Sequence, residues 1–181
     1  MKNKFIISVI TSSLFGVSAS VLAADPVTVT GGTIHFDGRV VSAACSVAAG
    51  SRDQTVILDQ VRTAKLATAG VRANQKKGFD IVLEDCDTSV SSNASVTFNG
   101  QEDPTVSGAL QNTAGAGAAG NVALELYGKD GKALALGVAS PAMTLIDGEN
   151  TLPFSVDYLA TGGAASAGAV KATATFNITY S

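Results

Sequence analysis

The sequence predicts an all-β sandwich, and three observations carry that prediction. Apolar residues recur at every second position in six separate runs. Turn-forming residues punctuate the runs at short intervals. Only one stretch, Val61 to Ala69, has helical character, and it is short. Several short alternating strands with turn punctuation read as a sandwich of immunoglobulin-like type.

In chain order, Gly32, Ile34 and Phe36 alternate with Thr33, His35 and Asp37. Phe79, Ile81 and Leu83 form a second run, broken only by Val82. Val96 and Phe98 form a third, Val122, Leu124 and Leu126 a fourth. Leu152, Phe154, Val156 and Tyr158 make the fifth. Ala172, Ala174, Phe176, Ile178 and Tyr180 make the sixth, which runs to the C-terminus. A strand turns successive side chains to opposite faces, so each run presents one apolar face. Lys129-Asp130-Gly131-Lys132 reads as a hairpin turn, and Asn99-Gly100 and Asp147-Gly148 as two more turns. Ala114–Gly120 and Gly162–Gly168 are Ala/Gly-rich and are expected to be mobile loops.

Composition narrows the function. The chain has 181 residues, 12 Lys plus Arg, 15 Asp plus Glu, and a net charge of -3. That acidity argues against nucleic-acid binding, which needs a basic face. A single His, His35, leaves a catalytic triad without a credible base and excludes a His-rich metal site. It lies between Ile34 and Phe36, so it faces away from their apolar side. No enzyme and no cofactor is expected.

The first 23 residues read as a secretory signal peptide. Lys2 and Lys4 precede an apolar stretch from Phe5 to about Val17, and Val21-Leu22-Ala23 supplies small residues for cleavage between Ala23 and Ala24. Removing them takes away two lysines and no acid, leaving 158 residues at a net charge of -5. Cys45 and Cys86, the two cysteines of an exported chain, are expected to form one disulfide. Closing that loop would stabilise the fold by roughly 4 kcal/mol.

Two features depart from an ordinary sandwich. The last strand ends at the chain terminus, and the mature N-terminus is itself strand-like well ahead of the first cysteine. A spare strand at one end and an unpaired edge at the other point to exchange between copies.

The motifs resemble a known family. Gly31-Gly32-Thr33-Ile34-His35-Phe36-Asp37-Gly38, then Val40-Val41-Ser42-Ala43-Ala44-Cys45, resembles the start of type 1 fimbrial major subunits. Asp53-Gln54-Thr55-Val56, Gln60-Val61-Arg62-Thr63-Ala64, Asp85-Cys86-Asp87-Thr88 and Tyr158-Leu159-Ala160-Thr161-Gly162 are similar too. So is the pairing of Gly168, fourteenth from the end, with the penultimate Tyr180. The resemblance covers the whole mature chain and is weakest from about Asn99 to Gly120.

It implies an incomplete immunoglobulin-like pilin fold, completed by a donor strand from a neighbouring subunit. Residues 24–38 would be the donor extension and 39–181 the pilin domain. Thr30, Gly32, Ile34 and Phe36 would enter the neighbour's groove, with Gly32 where that groove is shallow. Gly168, Phe176, Ile178 and Tyr180 would form the groove and the strand offered to a periplasmic chaperone. The implied partners are identical subunits in a homopolymer, that chaperone, an outer-membrane usher and other pilins of the tip. The implied location is the fimbrium, reached through the periplasm, with a role in cell adhesion.

Other features read as structural. Glu84, Asp85 and Asp87 lack the spacing of a twelve-residue calcium loop. Gly115, Gly117 and Gly120 form no phosphate-binding motif. The sequons at Asn93 and Asn177 are discounted in a bacterial-type export context, and Lys76-Lys77 is too small to bind a polyanion. The alternatives are an adaptor pilin of the same system or a monomeric exported binding module. A tip adhesin would need a further lectin domain, for which 158 residues leave no room.

Overall fold

The computed structural model describes residues 27–38, 40 and 42–181. The proposed signal peptide and its cleavage site at Ala23 and Ala24 lie outside them. The chain divides into two units, Met1–Arg39 and Val40–Ser181.

The second unit is nearly all β. Its described residues form nine strands, β1 (Ser46–Val47), β2 (Lys77–Cys86), β3 (Asn93–Gly100), β4 (Leu110–Gln111), β5 (Val122–Tyr127), β6 (Ala133–Leu134), β7 (Met143–Thr144), β8 (Gly148–Ala160) and β9 (Ala174–Tyr180). One sheet has the order β1-β2-β8-β5-β4, with β6 also on β5; the other is β7-β3-β9. Every strand pairing is antiparallel.

The alternation placed five long strands correctly. Ile81 and Leu83 of β2, Val96 and Phe98 of β3, and Leu152, Phe154 and Val156 of β8 are buried between the sheets. Four phenylalanines pack between the sheets: Phe98 lies edge to face with Phe154 at 5.0 Å and with Phe79 at 6.1 Å, and tilted against Phe176 at 6.4 Å. Such pairs add ~0.5–1.5 kcal/mol each beyond the area they bury.

Three local expectations need correction. Val61–Ala69 yields only a 3-10 turn, Thr63–Leu66, and an unexpected four-residue helix, α1, spans Ala49–Arg52. Asn99-Gly100 is not a turn but the end of β3, paired with Thr175 and Ala174. A Cβ on Gly100 would collide with the Leu110 side chain and come within 2.9 Å of Thr173 O, so packing demands the glycine. The Ala/Gly-rich segments are not free loops. Ala119 N donates to Ala169 O at 2.8 Å, Ala169 N to Gly117 O at 2.9 Å, and Ser166 N to Gly120 O at 3.1 Å. The Lys129–Lys132 hairpin and the Asp147-Gly148 turn form as expected, with Gly131 and Gly148 at φ 74° and 90°.

The disulfide Cys45–Cys86 is present, with both residues buried. It joins the start of β1 to the end of β2, beside an Ala44 O···Asp87 N hydrogen bond of 2.8 Å.

The outer face of the larger sheet carries an ionic cluster in which Glu125 is buried and Arg72 exposed. Arg72 donates from Nε to Glu125 Oε2 at 2.5 Å and from its terminal nitrogen to Oε1 at 2.7 Å. The Tyr127 hydroxyl donates to the same carboxylate, and Lys76 lies 3.6 Å over the Tyr127 ring. Burial pushes the Glu125 carboxyl up, but hydrogen bonds from Arg72 and Tyr127 outweigh it and leave it below the usual range. Burial, with the Glu125 carboxylate, pushes Tyr127 up to about 12.

The signs follow by linkage. A lowered carboxyl contributes stability above its unfolded value and loses it as pH falls. A raised tyrosine contributes fully below its unfolded value of 10.0 and loses it as pH climbs toward 12. Unfolding midpoints measured across pH are therefore expected to fall on an alkaline limb between those values. Arg72→Met is expected to weaken the stability gained on the acid side, because burial then raises the Glu125 carboxyl with only the Tyr127 hydrogen bond and the charge of Lys76 to oppose it.

Candidate functional site

Strand β9 closes one sheet and pairs only with β3 among the described residues. Its register sets Tyr180, Ile178 and Phe176 opposite Ala94, Val96 and Phe98. The three β3 residues are buried, whereas Phe176, Ile178 and Tyr180 are only half-buried. They share the inward face, and among the described residues no strand pairs with the free side of β9.

The facing wall is the chain from Val47 to Val61. Val47, Val56, Leu58 and Val61 pack half-buried on the same core as Phe176, Ile178 and Tyr180. Among the described residues, 53–61 make no backbone–backbone hydrogen bond. Side chains hold this wall instead. Gln54 Nε2 donates to Asp80 O at 3.0 Å, the Tyr158 hydroxyl to Asp59 O at 3.1 Å and Gln75 Nε2 to Gln60 O at 3.2 Å. Burial pushes the Tyr158 hydroxyl up, and the charges of Asp59 and Asp157 add to it.

The two walls meet at both ends. At one, the Tyr180 hydroxyl donates to Cys45 O at 3.3 Å. At the other, Gln60, Val61 and Leu66 share a cavity of about 290 Å³ with Ala165, Gly168 and Val170. Between them runs a groove with an apolar floor and, among the described residues, an unpaired backbone edge on either side. An open edge of this kind is a template for an added strand.

Gly168 sits at the cavity end for a steric reason. A Cβ there would come within 2.5 Å of Ala118 C and 2.6 Å of Gly117 O. Gly168→Ala is therefore expected to force the stitched loops apart at a cost of about 1–3 kcal/mol. Denaturant unfolding of the variant against the parent checks this.

The N-terminal extension carries an alternating apolar pattern of its own. Residues 27–38 are exposed and form no ladder. This differs from the strand expected at Gly32–Phe36, since a strand needs a partner for its N–H and C=O groups. Ile34 is 75% exposed and Phe36 90%, while Thr30 and Gly32 share their parity. A Cβ on Gly32 would meet nothing within 4 Å. His35 lies between the two apolar residues, also exposed. No group of three metal-ligating side chains gathers among the described residues.

Periodicity located β9. It did not locate the wall at 53–61, whose alternation of Val56, Leu58 and Val61 is short and interrupted by Gln60.

The fimbrial protein family profile matches residues 34–181. The chain belongs to the fimbrial protein family. The A chain of type 1 fimbriae from Escherichia coli strain K12 is 49% identical over 185 residues, covering 99% of this chain and 100% of that one. The type 1 fimbrial subunit of Klebsiella pneumoniae matches equally, at 49% with the same coverage. Among solved structures, the P pilus rod subunit PapA superposes with a TM-score of 0.65 at 28% identity, over 77% of this chain and 100% of that one. A subunit of a chaperone–usher pilus gives 0.66 at 28%, over 87% and 100%. These fimbrial relatives are structural subunits, and the protein is a structural fimbrial subunit rather than an enzyme. Its fold is the immunoglobulin-like pilin sandwich, and its location is the fimbrium.

Proposed function

We propose that this fimbrial protein forms the pilus shaft by donor-strand exchange, each copy lending residues 24–38 to the groove of the next. The observation that carries this is the groove itself: β9 ends a sheet with Phe176, Ile178 and Tyr180 half-covered and its outer edge unpaired. Thr30, Gly32, Ile34 and Phe36 supply the alternating face that fits it. Burying the exposed Ile34 and Phe36 contributes roughly 1.5–3 kcal/mol each. Against a domain stability of ~5–15 kcal/mol, that gain decides whether a subunit persists. The added strand runs antiparallel to β9, in keeping with every strand pairing in both sheets and with the stronger antiparallel ladder.

A free groove is an aggregation hazard, so the reading includes a periplasmic chaperone that lends a strand before assembly and an outer-membrane usher where exchange occurs. Gly168, Phe176, Ile178 and Tyr180 make the surface that such a chaperone meets. The signal peptide at 1–23 provides the passage into the periplasm. The same reading joins the shaft to other pilins at the tip and gives the assembled fibre its role in cell adhesion.

The test is expression in the periplasm with and without residues 24–38. Unheated SDS gels are expected to show a ladder of resistant oligomers for the full chain and none for the truncated one. A stable monomer that ignores the truncation would point instead to an independent exported binding module.

A further inference from the structure

We infer that a second contact joins successive subunits: the acidic end of one pilin domain docks on the basic, small-residue end of the next. This rests on the strand-exchange reading above, which fixes the occupant as another copy of this chain.

The two ends differ sharply in charge. One end holds the disulfide, the turn after β2 and the turn before β8. Its segments 84–92 and 143–150 carry Glu84, Asp85, Asp87, Asp147 and Glu149, with no lysine or arginine. These carboxylates are exposed. The two turns are joined, since Thr88 donates from N and Oγ1 to Asp147 Oδ1 at 2.8 and 2.7 Å. They also expose Val90 (51%) and Ile146 (65%). Arg52 lies on the flank, its Nε donated to Val47 O at 2.9 Å.

The opposite end is built from 61–73, 112–121 and 162–171. These segments carry Arg62, Lys65, Arg72 and Lys171 and no acid. Arg72 is neutralised by Glu125, which leaves three cations on a surface of alanine and glycine. The adjoining 101–109 loop has Glu102 and Asp103, but its own donors Ser107, Gly108, Thr105 and Val106 occupy those carboxylates.

Chain connectivity brings unlike ends together. The extension leaves the domain at Ala44, whose carbonyl accepts from Asp87 N on the acidic end. A strand antiparallel to β9 carries its C-terminal residues toward the Gly168–Val170 end of the acceptor's groove, the basic end. The six residues Gly38 to Ala43 then span at most about 20 Å. Such a tether raises the local concentration of one end at the other to the millimolar range. Opposite charges at that distance speed docking and set its orientation. Val90 and Ile146 supply an apolar centre, and the small residues opposite let the backbones approach.

The experiment is a charge swap. Glu84→Lys with Glu149→Lys reverses one end, and Arg62→Glu with Lys65→Glu reverses the other. All four positions are exposed. Each reversal alone is expected to cut the yield of straight rods in micrographs about tenfold. The four changes together are expected to restore it. The SDS-resistant ladder, which reports strand exchange and folding, is expected in every variant. Rods unaffected by either single reversal, or not restored by the combination, would overturn the docking. A ladder that survives deletion of residues 24–38 would overturn strand exchange itself.

Discussion

Replacing Gly32 by valine is expected to abolish rod growth while leaving the subunit folded. The argument uses both ends of the assembly. Within its own chain Gly32 stands in open space, so an added side chain costs the free subunit nothing. On the strand-exchange reading the same position enters the neighbour's groove in step with Ile34 and Phe36, over a floor where Val96 and Phe98 are already buried. Overpacking a core of native density costs about 1–3 kcal/mol even where neighbours can shift. On that reading the cost falls on the exchange step. Micrographs of sheared surface material and unheated gels check it. Abundant rods from Gly32→Val would mean that a different residue sits at the shallow point and that the register is shifted. Thr33→Val, of the opposite parity to Gly32, Ile34 and Phe36, is the control and is expected to assemble normally.

The second large effect is expected from the disulfide. Cys45→Ser with Cys86→Ser removes a crosslink between the start of β1 and the end of β2, closing a loop with a sequence separation of 41. Loss of such a native crosslink typically costs ~2–5 kcal/mol. Here the loop contains the whole groove wall at 53–61, which makes no backbone–backbone hydrogen bond of its own. The damage therefore concentrates on the acceptor site. The double variant is expected to lose most of its periplasmic steady-state level, and the purified parent is expected to unfold at lower denaturant when reduced. A reduced protein with an unchanged midpoint and normal ladder would show that side-chain anchors alone hold the wall.

Much of this was legible in the sequence because a strand with one buried face writes its period into the chain. Phe79, Ile81 and Leu83, or Phe176, Ile178 and Tyr180, need no partner in view to declare which face is apolar. The cysteine pair was legible for a simpler reason: the chain has only two thiols, and they join as Cys45–Cys86. Shorter elements were not. β4, β6 and β7 span two residues each and carry no period. Asn99-Gly100 looked like a turn because its residue types favour one. Packing against Leu110 and Thr173 supplied a different need for the same glycine.

The sequence by itself determined the class of fold, the pairing of Cys45 with Cys86 and the alternating faces of the two termini. These depend on local chemistry and on counting. Only the tertiary structure decided that the stretch at 53–61 stands opposite β9 as the second wall, and that the Ala/Gly-rich segments are stitched together around Gly168. It alone set four phenylalanines on one another and gathered acids at one end and bases at the other. Those arrangements join residues far apart in the chain, and no local period records which distant backbone will pass within a few ångströms.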